Sequence, residues 1–456
     1  MNNAVPIHLA LGEGYFDVVA AAQFPRHVLR YRNDRWARAT GLGDLTDEAW
    51  VRHFGAFAPL PGNLPQPLAL RYHGYQFRSY NPDIGDGRGF LFAQLRADDG
   101  RVLDLGTKGS GQTPYSRRGD GRLTLKGGVR ELLATTMLEA FGVNTSKTFS
   151  LIETGEDLVR GDEPSPTRSS VLVRLSHSNI RIGTFQRLAY EQDGERIQKL
   201  VDHVLMHYFG GIGGGAPAML QETVRRVART GAQWMAAGFV HGVLNTDNIN
   251  ITGESFDYGP YRFLPTYDPN FTAAYFDQTG LYAYGRQPGT LMWNLQRLAE
   301  CLLLVAEKEA LVEVLSTFPP TFEREMANAT LARLNLVPRE PEADVALTGE
   351  VFAFLHATQM PFEQFFFDCQ GGTPRADADV YKTEAFTVLR QAFATFQPAA
   401  PERLSHPYFA QVKPETLIID EIEALWSGIA ERDDWAPVYA KLKAIETAGQ
   451  AYGNLP

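Results

Sequence analysis

The stretch from His241 to Gly259, HGVLNTDNINITGESFDYG, constrains this chain more than any other part of its 456 residues. It carries two oxygen donors, the Asn248 amide and the Asp257 carboxylate, nine residues apart with Gly253 between them. Two short strands turning at Gly253 would let both oxygens converge on one cation. Mg²⁺ suits such a pair, because it takes few oxygens from protein and the rest from phosphate and water. A fold built around this loop must therefore leave a cleft for a polyphosphate beside it. Asp247, directly before Asn248, has two readings: a general base for an incoming hydroxyl, or a turn-forming Asp.

Cations that suit such a ligand lie upstream. The net charge of −10 argues against general binding to nucleic acid or to an anionic membrane, which reward clustered positive charge. Two segments reverse that sign. Between Arg101 and Arg130 seven Lys or Arg face only Asp104 and Asp120, and from Arg168 to Arg187 there are four Arg and no acid. Local reversal in an acidic chain points to a small anionic ligand such as a nucleotide polyphosphate.

Within the first segment, Lys108 ends the strand-like run VLDLGTK and Glu131 lies on the helix that follows. A carboxylate beside an ammonium keeps it charged and aimed; a solvated surface pair is the other reading. Gly85, Gly87 and Arg88 in NPDIGDGRG, and Gly119, Asp120, Gly121 and Arg122 in SRRGDGR, repeat the string GDGR. Glycine lets backbone N–H groups approach a phosphate, and Arg adds a bidentate fork. A tight turn is the commoner use of Gly-Asp-Gly. In VLVRLSHSNIRIG, Arg174 and Arg181 flank a Ser-rich turn that returns both to one side of a cleft, where a planar, permanently charged group suits phosphate; solvated strand-edge cations are the other reading.

The pattern of elements changes along the chain. Residues 1–64 read as an extension and Pro-rich linker. From 65 to 193, β-favouring runs alternate with Gly-rich turns around one helix, GVRELLATTMLEAFG, closed by Gly142. From 194 to 400 the pattern is helical, with apolar positions at Ile197, Leu200, Val201, Val204, Leu205 and Tyr208 and a stop at Gly210 and Gly211. Further helical stretches are expected near 219–238, 291–307, 345–357 and 415–446, the last in a C-terminal extension, 401–456. Cys301 and Cys369 have no metal-ligand spacing, and no leader or membrane-spanning run stands out, so a cytoplasmic protein is expected.

Protein kinases place H-x-D-x-x-x-x-N before D-x-G, with the Asn and second Asp on Mg²⁺ and the first Asp as base. Here Asn248 and Asp257-Tyr258-Gly259 keep the metal half, but Val243 stands at the base position. By the same analogy His241 braces the loop and does not react. The expected fold is α+β: a protein-kinase-like two-lobed fold, with a mixed β-rich N-lobe, a helical C-lobe, and N- and C-terminal extensions.

The strings YHGYQF, NPDIGDGRG, TKGSGQTPYSRRGDGR, VLVRLSHSNIRIGTF, HGVLNTDNINI, DYGPYRFLPTYDPNF and YAYGRQP, in this order from Tyr72 to Pro288, resemble the selenoprotein O family of protein adenylyltransferases. The resemblance implies a kinase-like fold that binds ATP reversed, so that AMP passes to Ser, Thr or Tyr hydroxyls of proteins, the enzyme itself included, with release of pyrophosphate. It implies nucleotide contacts at Gly85, Gly87, Arg88, Lys108, Asp120, Gly121, Arg174 and Arg181, with Glu131 orienting Lys108. Asn248 and Asp257 match the family's Mg²⁺ ligands, with Mn²⁺ the alternative ion, and Asp247 its base. The last residues, AGQAYGNLP, lack the terminal Cys or selenocysteine of many members. Two other functions remain: a kinase that transfers the γ-phosphoryl group, and a catalytically inactive pseudokinase that binds partners.

Overall fold

A computed structural model describes residues 3–161 and 163–455. Its strands are β1 (Phe16–Val18), β2 (Val28–Arg32), β3 (Leu68–Leu70), β4 (Gly74–Gln76), β5 (Ser79–Asn81), β6 (Leu91–Arg96), β7 (Val102–Lys108), β8 (Leu123–Thr124), β9 (Lys147–Leu158), β10 (Thr167–Ser176), β11 (Phe239–Val240) and β12 (Arg262–Phe263). Its helices are α1 (Asp34–Ala39), α2 (Asp47–Phe54), α3 (Leu125–Ala140), α4 (Ile182–Tyr190), α5 (Gly194–His207), α6 (Gly215–Ala236), α7 (Gln287–Leu302), α8 (Lys308–Ser316), α9 (Phe318–Arg333), α10 (Pro341–Thr358), α11 (Phe362–Asp368), α12 (Glu384–Phe393), α13 (Ile419–Arg432) and α14 (Ala436–Ala451). The chain is thus a mixed α/β molecule, with a curled sheet in its first part and helices in its second.

The main sheet runs β1-β3-β6-β7-β10-β9-β2, with β8 paired to β10, and all of its pairings are antiparallel. Residues expected to form an N-terminal extension supply both edges: Phe16 pairs with Leu70, and Val28 with Glu153. They also cover one face of the sheet. Trp50, Phe54 and Phe57 pack there on Phe90, Phe92 and Phe149, with Trp50 and Phe149 stacked 4.8 Å apart. Helix α3 covers the other face.

Strand periodicity then aims the functional side chains. Successive residues on β7 point to opposite faces. Leu103 and Leu105 enter the Trp50 cluster, which leaves Val102, Asp104, Gly106 and Lys108 on the α3 side. On β10, Val171, Val173 and Leu175 likewise enter the Trp50 cluster, so Arg174 shares the side of Lys108. Gly106 lies opposite Arg174, and a Cβ there would stand 2.6 Å from the Asn179 amide. Helix α3 starts where the Thr124 hydroxyl accepts the Gly127 N–H and ends at Gly142, whose φ of +76° suits a residue without Cβ.

Sequence and structure differ in two further places. The expected strands between Asn248 and Asp257 are single bridges, because Asn250 pairs with Arg181 and Ser255 with Thr145 rather than with each other. The strand pair closing this loop lies outside it, β11 with β12. The helical stretch 415–446 is two helices, α13 and α14, broken where Asp433 takes a left-handed φ of 49°. Helix α14 lies against the back of α3, where the Asn454 amide donates to Ala140 O at 3.0 Å. Among the described residues no helix is long and apolar enough to cross a membrane.

Beneath the sheet lies a fully buried carboxyl, Asp104, which accepts Gln94 Nε2 at 2.7 Å and the Asn179 N–H at 2.8 Å. Burial pushes its pKa up to about 7, although those two bonds oppose the shift. The folded protein therefore holds this proton at pH values where the unfolded chain, with a pKa near 3.8, has released it. The linkage has one sign: stability falls as pH rises from about 4 to about 7 and is level in this term above that. Asp104→Asn keeps the neutral shape of the acid, and the Tyr208 hydroxyl, 3.4 Å from Asp104, is an oxygen that can accept from it. Urea melts from pH 4 to 7 are expected to show a shallower decline for the variant, by about one proton; identical slopes would remove Asp104 as the cause.

Candidate active site

Between the sheet and the helical part opens a cavity of about 740 Å³. Its walls hold Gly85, Gly87, Arg88, Lys108, Asp120, Gly121, Arg174, Arg181, Asp247, Asn248 and Asp257, which are all the site residues expected from sequence except Glu131. Glu131 stands directly behind Lys108 on α3, so the set is contiguous.

The centre is a cluster of charges. Lys108 Nζ lies 2.7 Å from Glu131 Oε2 and 2.6 Å from Asp257 Oδ1. Arg174 spans the same two acids, with Nε 3.4 Å from Glu131 Oε1 and Nη2 3.3 Å from Asp257 Oδ1. Burial alone would raise the Asp257 pKa, but the Lys108, Arg174 and Arg181 cations outweigh it and hold the carboxyl well below the usual range. Asp257 has a φ of 64°, a left-handed conformation that costs a non-Gly residue energy and recurs at functional positions.

Arg181 forms the second anchor. Its guanidinium stacks over Tyr72 at 4.5 Å and Phe256 at 4.8 Å, donates from Nη1 to Asp247 O at 2.9 Å, and lies 3.3 Å from Asp86 Oδ1. Arg174 also approaches Phe256, at 5.6 Å, so the two arginines do return to one side of the cleft. Asp86 is a site residue that sequence reasoning passed over. It sits inside the first GDGR string, where the glycines and Arg88 drew attention, and it also accepts the Leu70 N–H at 3.0 Å. Tyr115 is a second omission: a Cβ at Gly85 would stand 2.5 Å from its ring, and one at Gly87 would stand 2.8 Å from its carbonyl oxygen. That pair of glycines is therefore required by packing of the loop 111–121 on the turn 85–88. Gly121 is tighter still, with φ +70° and a Cβ position 2.2 Å from Gly111.

Asp120 departs from the centre. It lies on the rim, paired at 2.8 Å with Arg160, another lining residue that the sequence did not single out.

In the loop, His241 Nε2 bonds to Phe256 O at 3.0 Å, and burial lowers its pKa, so the neutral ring braces the chain beside Asp257. Asn248 donates its amide N–H to Val243 O at 3.0 Å, which turns its amide oxygen the other way. Asp247 is buried; its Oδ1 has no hydrogen-bond partner and faces Gly74, where a Cβ would stand 2.8 Å away. Burial pushes its pKa up to about 6, with Arg181 opposing the rise. Val243 lines the same cavity and can neither give nor take a proton.

The donor set suits a hard divalent ion in company with phosphate. No group of three or more His, Cys, Asp or Glu side chains forms a metal cage among the described residues. One amide oxygen and one carboxylate with a second carboxylate close by is instead the sparse set that Mg²⁺ accepts when phosphates complete its shell. The arrangement provides cations for a polyphosphate, two oxygens for a metal, and one under-bonded carboxylate for a proton.

Residues 2–446 match the family described as Protein adenylyltransferase SelO. A protein nucleotidyltransferase YdiU of Synechocystis sp. is 46% identical over 455 residues, covering 94% of each chain. Proteins of the same description from Trichormus variabilis and Trichodesmium erythraeum are each 44% identical, covering 98% and 97% of this chain and 96% and 98% of their own. With a match of this extent behind the geometry of the cleft, the chain belongs to the SelO family of protein adenylyltransferases.

Proposed function

We propose that the cleft binds ATP with its α-phosphate turned toward Asp247 and transfers AMP to a Ser, Thr or Tyr hydroxyl of a protein, within a kinase-like two-lobed fold. The observation that carries this reading is the pairing of Asp247 and Val243 in one cavity wall. A γ-phosphoryl kinase needs a carboxylate where Val243 stands. The carboxylate present is Asp247, so the reacting phosphorus belongs beside it.

In this mechanism Asp247 takes the proton of the acceptor hydroxyl, whose oxygen forms a bond to the α-phosphorus. The bond from that phosphorus to the oxygen bridging to the β-phosphate breaks, and pyrophosphate leaves with the electron pair. Lys108, Arg174 and Arg181 are proposed to bear on the polyphosphate, where fixed cations in a dry site stabilise charge that develops during transfer. Glu131 keeps Lys108 aimed, and the Gly85–Arg88 turn and Gly121 let backbone approach the nucleotide. Asn248 and Asp257 would hold Mg²⁺ or Mn²⁺, which when bound neutralises polyphosphate charge and polarises phosphoryl oxygens.

Two experiments test this assignment. With ATP labelled separately at the α- and γ-phosphates, label is expected on protein only from the α position; label from γ alone would return the chain to the kinases. In calorimetric titrations, Asp257→Ala is expected to abolish most of the metal-dependent part of ATP affinity, whereas Asp247→Ala leaves it nearly intact. The Asp247 variant should instead lose turnover by about 10²–10⁴-fold, the range for a general base. Equal loss of affinity in the two folded variants would count against this division of roles, and undiminished turnover without Asp247 would remove it as the base.

A further inference from the structure

Beside the catalytic loop, outside the cavity, three aromatic rings meet solvent. Tyr275 is 82% exposed, Phe276 47% and Phe77 36%. They are contiguous: Tyr275 and Phe276 lie 5.1 Å apart, and Phe276 and Phe77 5.7 Å. Phe77 packs in turn on Tyr282 at 4.9 Å.

This patch is joined to the reacting carboxylate by short connections. Asn245 Oδ1 accepts both the Phe77 N–H, at 3.1 Å, and the Tyr282 hydroxyl, at 2.7 Å. Asn245 lines the cleft two residues before Asp247, a span of at most about 7 Å between Cα atoms. Gln76, the neighbour of Phe77, also lines the cleft together with Asp247.

The rings are held in place. Phe77 and Arg78 form the turn of the β4–β5 hairpin with φ of 49° and 62°, a turn that Asn-Gly normally occupies. Two side chains are thus kept in a left-handed conformation at some cost, and one of them presents a ring to solvent. On the other side, Asp277 is 4% exposed and its carboxylate accepts the N–H groups of Leu281 and Tyr282, each at 2.8 Å. That bonding fixes the loop carrying Tyr275 and Phe276. A rigid aromatic cluster loses little freedom on binding, which is the usual property of an interaction hot spot.

We infer that Phe77, Tyr275 and Phe276 form the docking platform for the acceptor protein, selecting a segment that carries a large apolar side chain close in sequence to the modified hydroxyl. The inference rests on the proposed function, which requires an acceptor chain to pass Asp247. An extended segment advances about 3.3 Å per residue. The connection from Asp247 through Asn245 to Phe77 and on to Phe276 therefore places the apolar side chain within several residues of the hydroxyl, in the same acceptor segment. A second copy of this chain is the weaker occupant. Aromatic side chains bury about 150–250 Å² each, so three partly covered rings supply well under the roughly 800 Å² per partner of a stable interface.

The test uses a library of peptides with one Ser, Thr or Tyr and randomised flanks, the full chain, and ATP labelled at the α-phosphate. The wild type is expected to favour peptides with an aromatic or large aliphatic residue at a fixed position within several residues of the hydroxyl. Tyr275→Ser combined with Phe276→Ser should raise the KM for those peptides about tenfold, leave nucleotide affinity unchanged, and erase the preference, whereas Tyr275→Phe keeps it. No flank preference in the wild type, or the same preference in the double variant, overturns the docking role and leaves adenylylation standing. A wild type that transfers no α-label to any peptide or protein overturns the functional reading, and the docking role with it. A wild-type dimer in sedimentation that dissociates in the double variant would assign the rings to a second copy instead.

Discussion

Lys108, Glu131, Asp257 and Arg174 form one buried knot of charge, and the cleft exists in its present shape because that knot holds. Each member comes from a different element: a strand, the helix behind it, the loop from the helical part, and the neighbouring strand. Removing such ions from water costs several kcal/mol apiece, and the cost is offset only when every partner is present. Loss of one partner from a buried pair costs on the order of 3–5 kcal/mol. The knot is thus a joint between the sheet and the loop as well as part of the site. The helix that carries Glu131 is backed by α14, and Lys126, in its first turn, pairs with Glu423 of α13 at 2.6 Å. The last two helices therefore bear on the position of the Lys108 ammonium without touching the cavity.

The same geometry separates two carboxylates by environment. Asp257 lies among three cations and stays ionised. Asp247, ten residues earlier in the same loop, is buried with an unpartnered oxygen, so its proton is bound more tightly than that of an ordinary aspartate. Neighbouring acids driven in opposite directions are a recurring sign of divided labour in catalytic sites. The backbone helps to maintain the difference, because Arg181 spends one donor on the Asp247 carbonyl rather than on its carboxylate.

How much of this was legible in the sequence depended on whether the information is local. The β-favouring runs VLDLGTK and VLVRLS put Lys108 and Arg174 on strands, and helical period with its stop signals found α3 and α5. Pairing between distant segments left no such trace. Strands β1 and β2 are short edges whose partners are remote in sequence, so their residues read as an extension. Two short strands were expected to turn at Gly253, but Asn250 bridges to Arg181 and Ser255 to Thr145 instead. Asp86 had the composition of a turn residue, and only its contact with Arg181 shows otherwise. Tyr275 and Phe276 are apolar letters like many others until their exposure is known.

The edge strands also set a timetable for making the protein. Val28 must wait for Glu153, more than a hundred residues later, before its strand has anything to pair with. At a synthesis rate of about 5–20 residues per second, that interval is on the order of ten seconds. During it the Trp50 and Phe54 side chains can meet β6 and β7 but lack Phe149, the ring that both of them pack against in the finished core. The emerging chain must therefore keep these two aromatic residues out of the wrong company until the middle of the sequence has left the ribosome.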